Sequence, residues 1–161
     1  MIKSLFNIII FVVVLAAALA YQELGMLEDD GKQSAPYFSL PTLANPSERY
    51  NISALQGERS VIYFFAPWCN ICRYSMPNID KLHRQGKVNA VAIALDFQST
   101  EEITKFSQDL NLSMPILLGN QKTAQDYKVK AYPTYYVMDP KLKIIERSIG
   151  YSSELGIRLR L

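Results

Sequence analysis

Apolar positions fall into three regimes along this chain. Leu5 to Ala20 is apolar throughout apart from Asn7, with Lys3 ahead of it and Ala18-Leu19-Ala20 at its end. Tyr21 to Ala35 is acidic, contains glycine and shows no periodicity. From Pro36 onward, short blocks rich in β-branched and aromatic residues alternate with stretches whose apolar residues recur every three or four positions. That alternation predicts strands interleaved with helices, hence an α/β domain built on a sheet.

Tyr37 to Leu40 and Arg49 to Ile52 read as short strands flanking a Pro-Thr-Leu-Ala-Asn-Pro turn region, and a one-turn helix near Ser53 to Leu55 stops at Gly57. Val61 to Phe65 is a continuous apolar run, as in a strand covered on both faces. Between Cys69 and Gln85, Met76, Ile79 and Leu82 recur at helical spacing, with Pro77 predicting a kink and Gly86 a stop. Val88 to Leu95 reads as the next buried strand. Ser99 and Glu102 form a capping-box pattern ahead of a helix whose inward face is Ile103, Phe106 and Leu110. A strand over Pro115 to Leu118 and a helix over Asn120 to Tyr127 follow. Thr134 to Met138 and Lys143 to Ile149 then make an antiparallel hairpin closed by Asp139-Pro140-Lys141-Leu142. Beyond Ser152 a terminal helix is weakly patterned, since Ile157, Leu159 and Leu161 alternate with arginines and suit a strand as well.

The length of 161 residues accommodates one domain with a core, and the formal net charge of +2 is scattered rather than striped, which argues against nucleic acid as a partner. The apolar start has the layout of an export segment, intermediate in length between a cleavable signal core and a spanning helix. The expected organisation is a signal peptide or N-terminal membrane anchor over 1–20, a tether over 21–35, and one domain over 36–161. Such a protein is periplasmic, held at the inner membrane when the segment is retained, and meets the membrane only through it. Export bears on Cys69 and Cys72, the only cysteines in the chain, because disulfides persist outside the cytosol.

Two cysteines separated by two residues close a very small ring, which stabilises a fold far less than the roughly 3 kcal/mol of a 15-residue loop. A redox pair is the better reading. Cys69 stands where a strand gives way to a helix, so it should be exposed and meet unpaired amides that favour its thiolate, and Cys72, one turn deeper, is placed to resolve a mixed disulfide. Trp68, just outside the regular strand, offers a flat apolar surface to a client. Tyr132-Pro133-Thr134 leads into a strand, where either peptide isomer is compatible with the sequence. The single histidine, His83, reads as a surface or flanking residue, and two cysteines plus one histidine fall short of a closed zinc site. Copper(I), which soft thiolates select, stays open.

Phe64-Phe65-Ala66-Pro67-Trp68-Cys69-Asn70-Ile71-Cys72, followed by Pro77, together with Val129-Lys130-Ala131-Tyr132-Pro133-Thr134, resembles the active-site and cis-proline segments of the thioredoxin superfamily. The start Ala35-Pro36-Tyr37-Phe38-Ser39-Leu40-Pro41, the export segment and a strand-helix insertion before Pro133 resemble its TlpA/ResA/DsbE branch. The resemblance, from about Ala35 to Ile149, implies a thioredoxin-like three-layer α/β sandwich with a central mixed β-sheet, an N-terminal strand extension and that insertion. It further implies attack by Cys69, resolution by Cys72, a cis Pro133 beside them, and a Tyr132 backbone offered to substrate, with no cofactor and no metal. Implied partners are disulfide-containing client proteins and a membrane thiol-disulfide electron donor.

Two positions depart from that pattern. Tyr63 stands where thioredoxins carry a buried acid, and Ser75 where several relatives of this branch carry a glutamate. Asp96, at the end of the next strand, is the nearest substitute proton acceptor, against its plainer reading as a turn residue. The expectation is an enzyme, a protein-disulfide oxidoreductase reducing exported proteins or apocytochromes. An oxidant or isomerase using the same thiols is the alternative, and a copper-binding or chaperone module is the alternative of another class. Asn70-Ile71 matches neither the Gly-Pro of thioredoxin nor the Pro-His of the oxidant DsbA, and so leaves the potential open.

Overall fold

Side chains alternate across a pleated strand, and in this protein that alternation separates two cores. The structure is a computed structural model describing residues 6–14, 23 and 25–161. Along β3 (Ser60–Phe65), Val61, Tyr63 and Phe65 enter one core while Ile62 and Phe64 enter the other. β4 (Asn89–Ala94) and β6 (Thr134–Met138) divide in the same way, with Ala92 and Tyr135 on the first face and Val91 and Tyr136 on the second. With β5 (Ile116–Leu118) and β7 (Ile144–Ile149) they form a five-stranded sheet of order β5-β4-β3-β6-β7. The pairings are parallel from β5 to β3 and antiparallel from β3 to β7, the mixed sheet expected.

Among the described residues from 25 onward, four α-helices accompany the strands: α1 (Asn70–Arg84), α2 (Thr100–Asp109), α3 (Gln121–Asp126) and α4 (Glu154–Arg158). Met76, Ile79 and Leu82 of α1, Ile103 and Phe106 of α2, and Ile157 of α4 fill the first core. The second is closed by β1 (Ser39–Pro41) paired with β2 (Arg49–Asn51), by the turn of 3₁₀ helix over Ile52–Leu55, and by Tyr127 at the end of α3. The result is three layers, with α4 settling the ambiguous C-terminus as a helix capped by Ser153. Ser99 is the N-cap of α2 but makes no side-chain cap bond, and Glu102 reaches Gln98 N at 3.3 Å instead, so the capping box is incomplete.

The stretch expected to be a tether, 21–35, is different in its described part. Met26 and Leu27 are buried in the second core, and the chain then runs beside β7, with Gly31 N donating to Ile144 O, Ile144 N to Gln33 O, and Ala35 N to Leu142 O, each at 2.9 Å. Crossing the sheet, it reaches the opposite edge, where Leu43 N donates to Ile116 O at 2.8 Å and Thr42 bridges Leu117. Both edge strands therefore gain backbone partners, which removes templates for unwanted strand pairing. The domain begins by Met26 rather than at Pro36. The expected 1–20 segment lies partly outside the described residues; 6–14 are helical and exposed, and among the described residues no helix is long and apolar enough to cross a membrane.

Candidate active site

The first core strand delivers the cysteines. β3 ends at Phe65, whose carbonyl accepts from Leu95 N at 2.9 Å, and a turn closed by Cys69 N to Ala66 O at 3.1 Å starts α1. Cys69 is the N-cap: its Sγ accepts from Cys72 N at 3.1 Å and is joined to Cys72 Sγ as a disulfide across a Cα separation of 5.3 Å. The first turn of α1 holds no acidic side chain, while Lys81, His83 and Arg84 occupy the last turn. The positive end of the helix thus acts on Cys69 undiminished, and favours its thiolate once the disulfide opens.

Cys69 was expected to be exposed, yet only 6% of it is accessible and Cys72 is fully buried. The cause is local, since the Cys69 sulfur turns inward to accept the helix amide and to bond Cys72. Exposure passes instead to its neighbours: Trp68 is 62% accessible, and Ile71 and Tyr74 are also exposed. Trp68 is nevertheless fixed, with Nε1 donating to Asp96 O at 3.0 Å and the ring meeting Tyr132 edge-on at a centroid distance of 5.7 Å. It stands outside the core, as the sequence reading favoured.

Tyr132 arrives from the other side. The register Phe64↔Thr134 brings the start of β6 to the exit of β3, so Tyr132 and Pro133 lie at the same end of the sheet as Cys69. The Tyr132–Pro133 peptide bond is cis, the isomer the resemblance implies. Thr134 Oγ1 donates to Ala131 O at 2.8 Å and Gly150 N to Pro133 O at 2.8 Å, which anchors this loop on both sides. Partial burial, and after it the Asp96 carboxylate, push the Tyr132 phenol above its ordinary range. Two grooves of about 370 and 380 Å³ share Asp96 and Phe97; Trp68, Arg73 and Glu102 border one, Tyr132 and Asn120 the other.

Asp96 is exposed, at φ +50°, and among the described residues no hydrogen bond joins its carboxylate to either cysteine. Its carbonyl holds Trp68, a positioning contact that the sequence did not suggest. Behind Cys72 the structure instead gathers hydroxyl groups. Ser75 Oγ accepts from Ser152 N at 3.2 Å and donates to Ser152 O at 3.4 Å, while Tyr135 OH and Ser152 Oγ share a hydrogen bond of 3.1 Å. Tyr63 stacks on Tyr135 with a centroid distance of 6.2 Å. Sequence reasoning had Tyr63 and Ser75 but missed Tyr135 and Ser152, which only the β3-β6 register and the return of the C-terminus reveal. His83 is half-buried, its Nδ1 accepting from Ala90 N at 3.2 Å, so it ties α1 to β4.

Comparison with known proteins agrees with this geometry. The model of the AhpC/TSA family matches residues 32–147. The thioredoxin-like protein YneN of Bacillus subtilis is 33% identical over 144 residues, covering 87% of this chain and 82% of that protein. The thiol-disulfide oxidoreductase ResA of Oceanobacillus iheyensis is 28% identical over 145 residues, covering 83% and 74%. Among solved structures, one described as a thiol:disulfide interchange protein DsbE from Chlorobium tepidum superposes with a TM-score of 0.72 at 25% identity, over 83% of this chain and 93% of that one.

Proposed function

This chain belongs to the AhpC/TSA family and is a thiol-disulfide oxidoreductase, and from that premise we propose that it reduces disulfides of exported proteins, apocytochromes included, with Cys69 as attacking thiol and Cys72 as resolving thiol. The observation that carries the reading is the Cys69–Cys72 pair at the N-terminus of α1, ringed by exposed Trp68, Ile71 and Tyr74. In the forward step the Cys69 thiolate attacks one sulfur of a client disulfide, and the other sulfur leaves and takes up a proton. The Cys72 thiolate then attacks Cys69, breaking the Cys69–client bond and freeing the second client thiol. The pair ends oxidised, and a thiol donor of low potential must return two electrons and two protons to it.

Trp68, Tyr132 and Pro133 are the client-binding residues in this reading. An extended client segment lying along the Tyr132–Pro133 backbone would add a strand-like partner there, while the Trp68 ring holds its apolar side chains. Residues 1–20 anchor the protein at the outer face of the membrane, in the periplasm where there is one. Because Met26 is already docked, only residues 21–25 separate the anchor from the domain, a reach of at most about 17 Å. So short a connection holds the thiols near the membrane, where a membrane-embedded thiol-disulfide donor could reach them. Acid trapping and alkylation in intact cells tests the direction: a mainly reduced pair is expected. A mainly oxidised pair would contradict the reductase and indicate an oxidant.

A further inference from the structure

Of the four hydroxyl-bearing side chains gathered behind Cys72, three satisfy one another. Ser75, Ser152 and Tyr135 are joined in the hydrogen-bonded chain described above. Tyr63 is the exception: its hydroxyl is fully buried and has no hydrogen-bond partner, facing Ser75 without meeting the geometry of a bond. A buried unpaired hydroxyl destabilises a fold, and phenylalanine would fill the same space without that cost. Ser75 Oγ keeps one acceptor site beyond its bonds to the amide and carbonyl of Ser152, yet the Tyr63 hydroxyl does not meet bond geometry with it.

The position of Tyr63 supplies a reason. It projects from the centre of β3 into the core lined by the inner face of α1, where Cys72, Ser75 and Met76 are all fully buried. Cys72 and Ser75 are three residues apart, which on a helix makes them neighbours about 5–6 Å apart on one face. In the disulfide the Cys72 sulfur is spent on its bond to Cys69; after reduction it is a free thiol or thiolate in the same core, the one group there whose hydrogen-bonding capacity changes with redox state. We propose that the Tyr63 hydroxyl is a positioning donor for Cys72, unpaired while the disulfide is closed and hydrogen-bonded to the Cys72 sulfur once it opens.

Burial holds the Tyr63 phenol protonated far above its ordinary range, so it donates and does not act as a base. The proton that Cys72 loses before attacking Cys69 goes to solvent, and Tyr63 stabilises the thiolate left behind. No acid at position 75 is then required. The proposal rests on the redox reading of the pair, but the test below measures the thiol itself and does not depend on client or direction.

The full chain carrying Cys69→Ser leaves Cys72 as the single thiol, and its ionisation is followed by thiolate ultraviolet absorbance with and without Tyr63→Phe. Loss of a hydrogen bond to a charged sulfur should make Cys72 about a tenfold weaker acid. In the otherwise native chain, release of client from a preformed mixed disulfide at neutral pH should slow about three- to fourfold in Tyr63→Phe. The lower thiolate fraction is partly offset by the greater nucleophilicity of a more basic sulfur. Ser75→Ala, which breaks the bonds to Ser152 but keeps the Tyr63 hydroxyl, should leave the Cys72 titration unmoved. An unchanged titration in Tyr63→Phe, with oxidised and reduced forms altered equally in stability, would overturn the proposal and leave Tyr63 a core residue alone.

Discussion

Asp80 gives the sharpest stability prediction, because the helix that carries the cysteines is held by a carboxylate that is only 1% exposed. Its Oδ1 accepts three hydrogen bonds, from Ser113 N at 2.7 Å, Ser113 Oγ at 3.0 Å and Met114 N at 2.9 Å, and Oδ2 faces Arg84 at 3.3 Å. One side chain thus pins the loop before β5 beneath α1. Asp80→Ala removes all three bonds and leaves the buried Met114 amide unpaired. Hydrogen bonds to a charged group are worth about 1.5–3 kcal/mol each, and the Ser113 groups can recover water, so the net loss should be about 3 to 4 kcal/mol. The exposed Arg84 partner adds little. Asp80→Asn keeps an acceptor but not the charge, and should cost about half as much. With a urea slope of about 2 kcal/mol/M, the alanine variant should unfold some 1.5–2 M earlier. Asp80 lies eight residues beyond Cys72, about 12 Å along the helix, so oxidised and reduced forms should lose stability equally. A loss below about 1 kcal/mol, or one confined to a single redox form, would refute the reasoning.

Leu27, 3% exposed and packed in the second core, should cost about 2–4 kcal/mol on replacement by aspartate, measured by urea unfolding, whereas in a free tether the change would stay within about 0.5 kcal/mol. Glu154 is held below the ordinary glutamate range by its hydrogen bond from Lys81 and then by Arg158. Its contribution is therefore present above the unfolded-state pKa and lost as pH falls through the depressed folded value. Stability measured from about pH 6 to pH 3 should fall less steeply in Glu154→Gln, and parallel curves would contradict the α1-α4 tie.

The alternation of strands and helices was legible because Met76, Ile79 and Leu82, or Ile103 and Phe106, repeat at helical period against the continuous apolar run of β3. The cysteine pair and its turn were legible for the same reason, a local pattern carrying local geometry. What escaped depends on distant partners. The strap before β1 is fixed by backbone bonds to Leu142 and Ile144, which leave no side-chain signature, and by Met26 and Leu27, isolated apolar residues in an acidic stretch. Asp80 bonds amides more than thirty residues away, so nothing near it in the chain marked it. The inward turn of Cys69 follows from the cap geometry and the closed disulfide, whereas helix-end reasoning alone suggested exposure.

The central claim, that Cys69 attacks and Cys72 resolves, is tested most directly by trapping. Full-length Cys72→Ser, reduced and then exposed to exported proteins carrying disulfides, should accumulate covalent complexes through Cys69 that dithiothreitol releases, because no second thiol remains to resolve them. Cys69→Ser under the same conditions should accumulate few or none, its remaining thiol being fully buried. Complexes formed mainly through Cys72 in Cys69→Ser would contradict the assignment and the mechanism built on it.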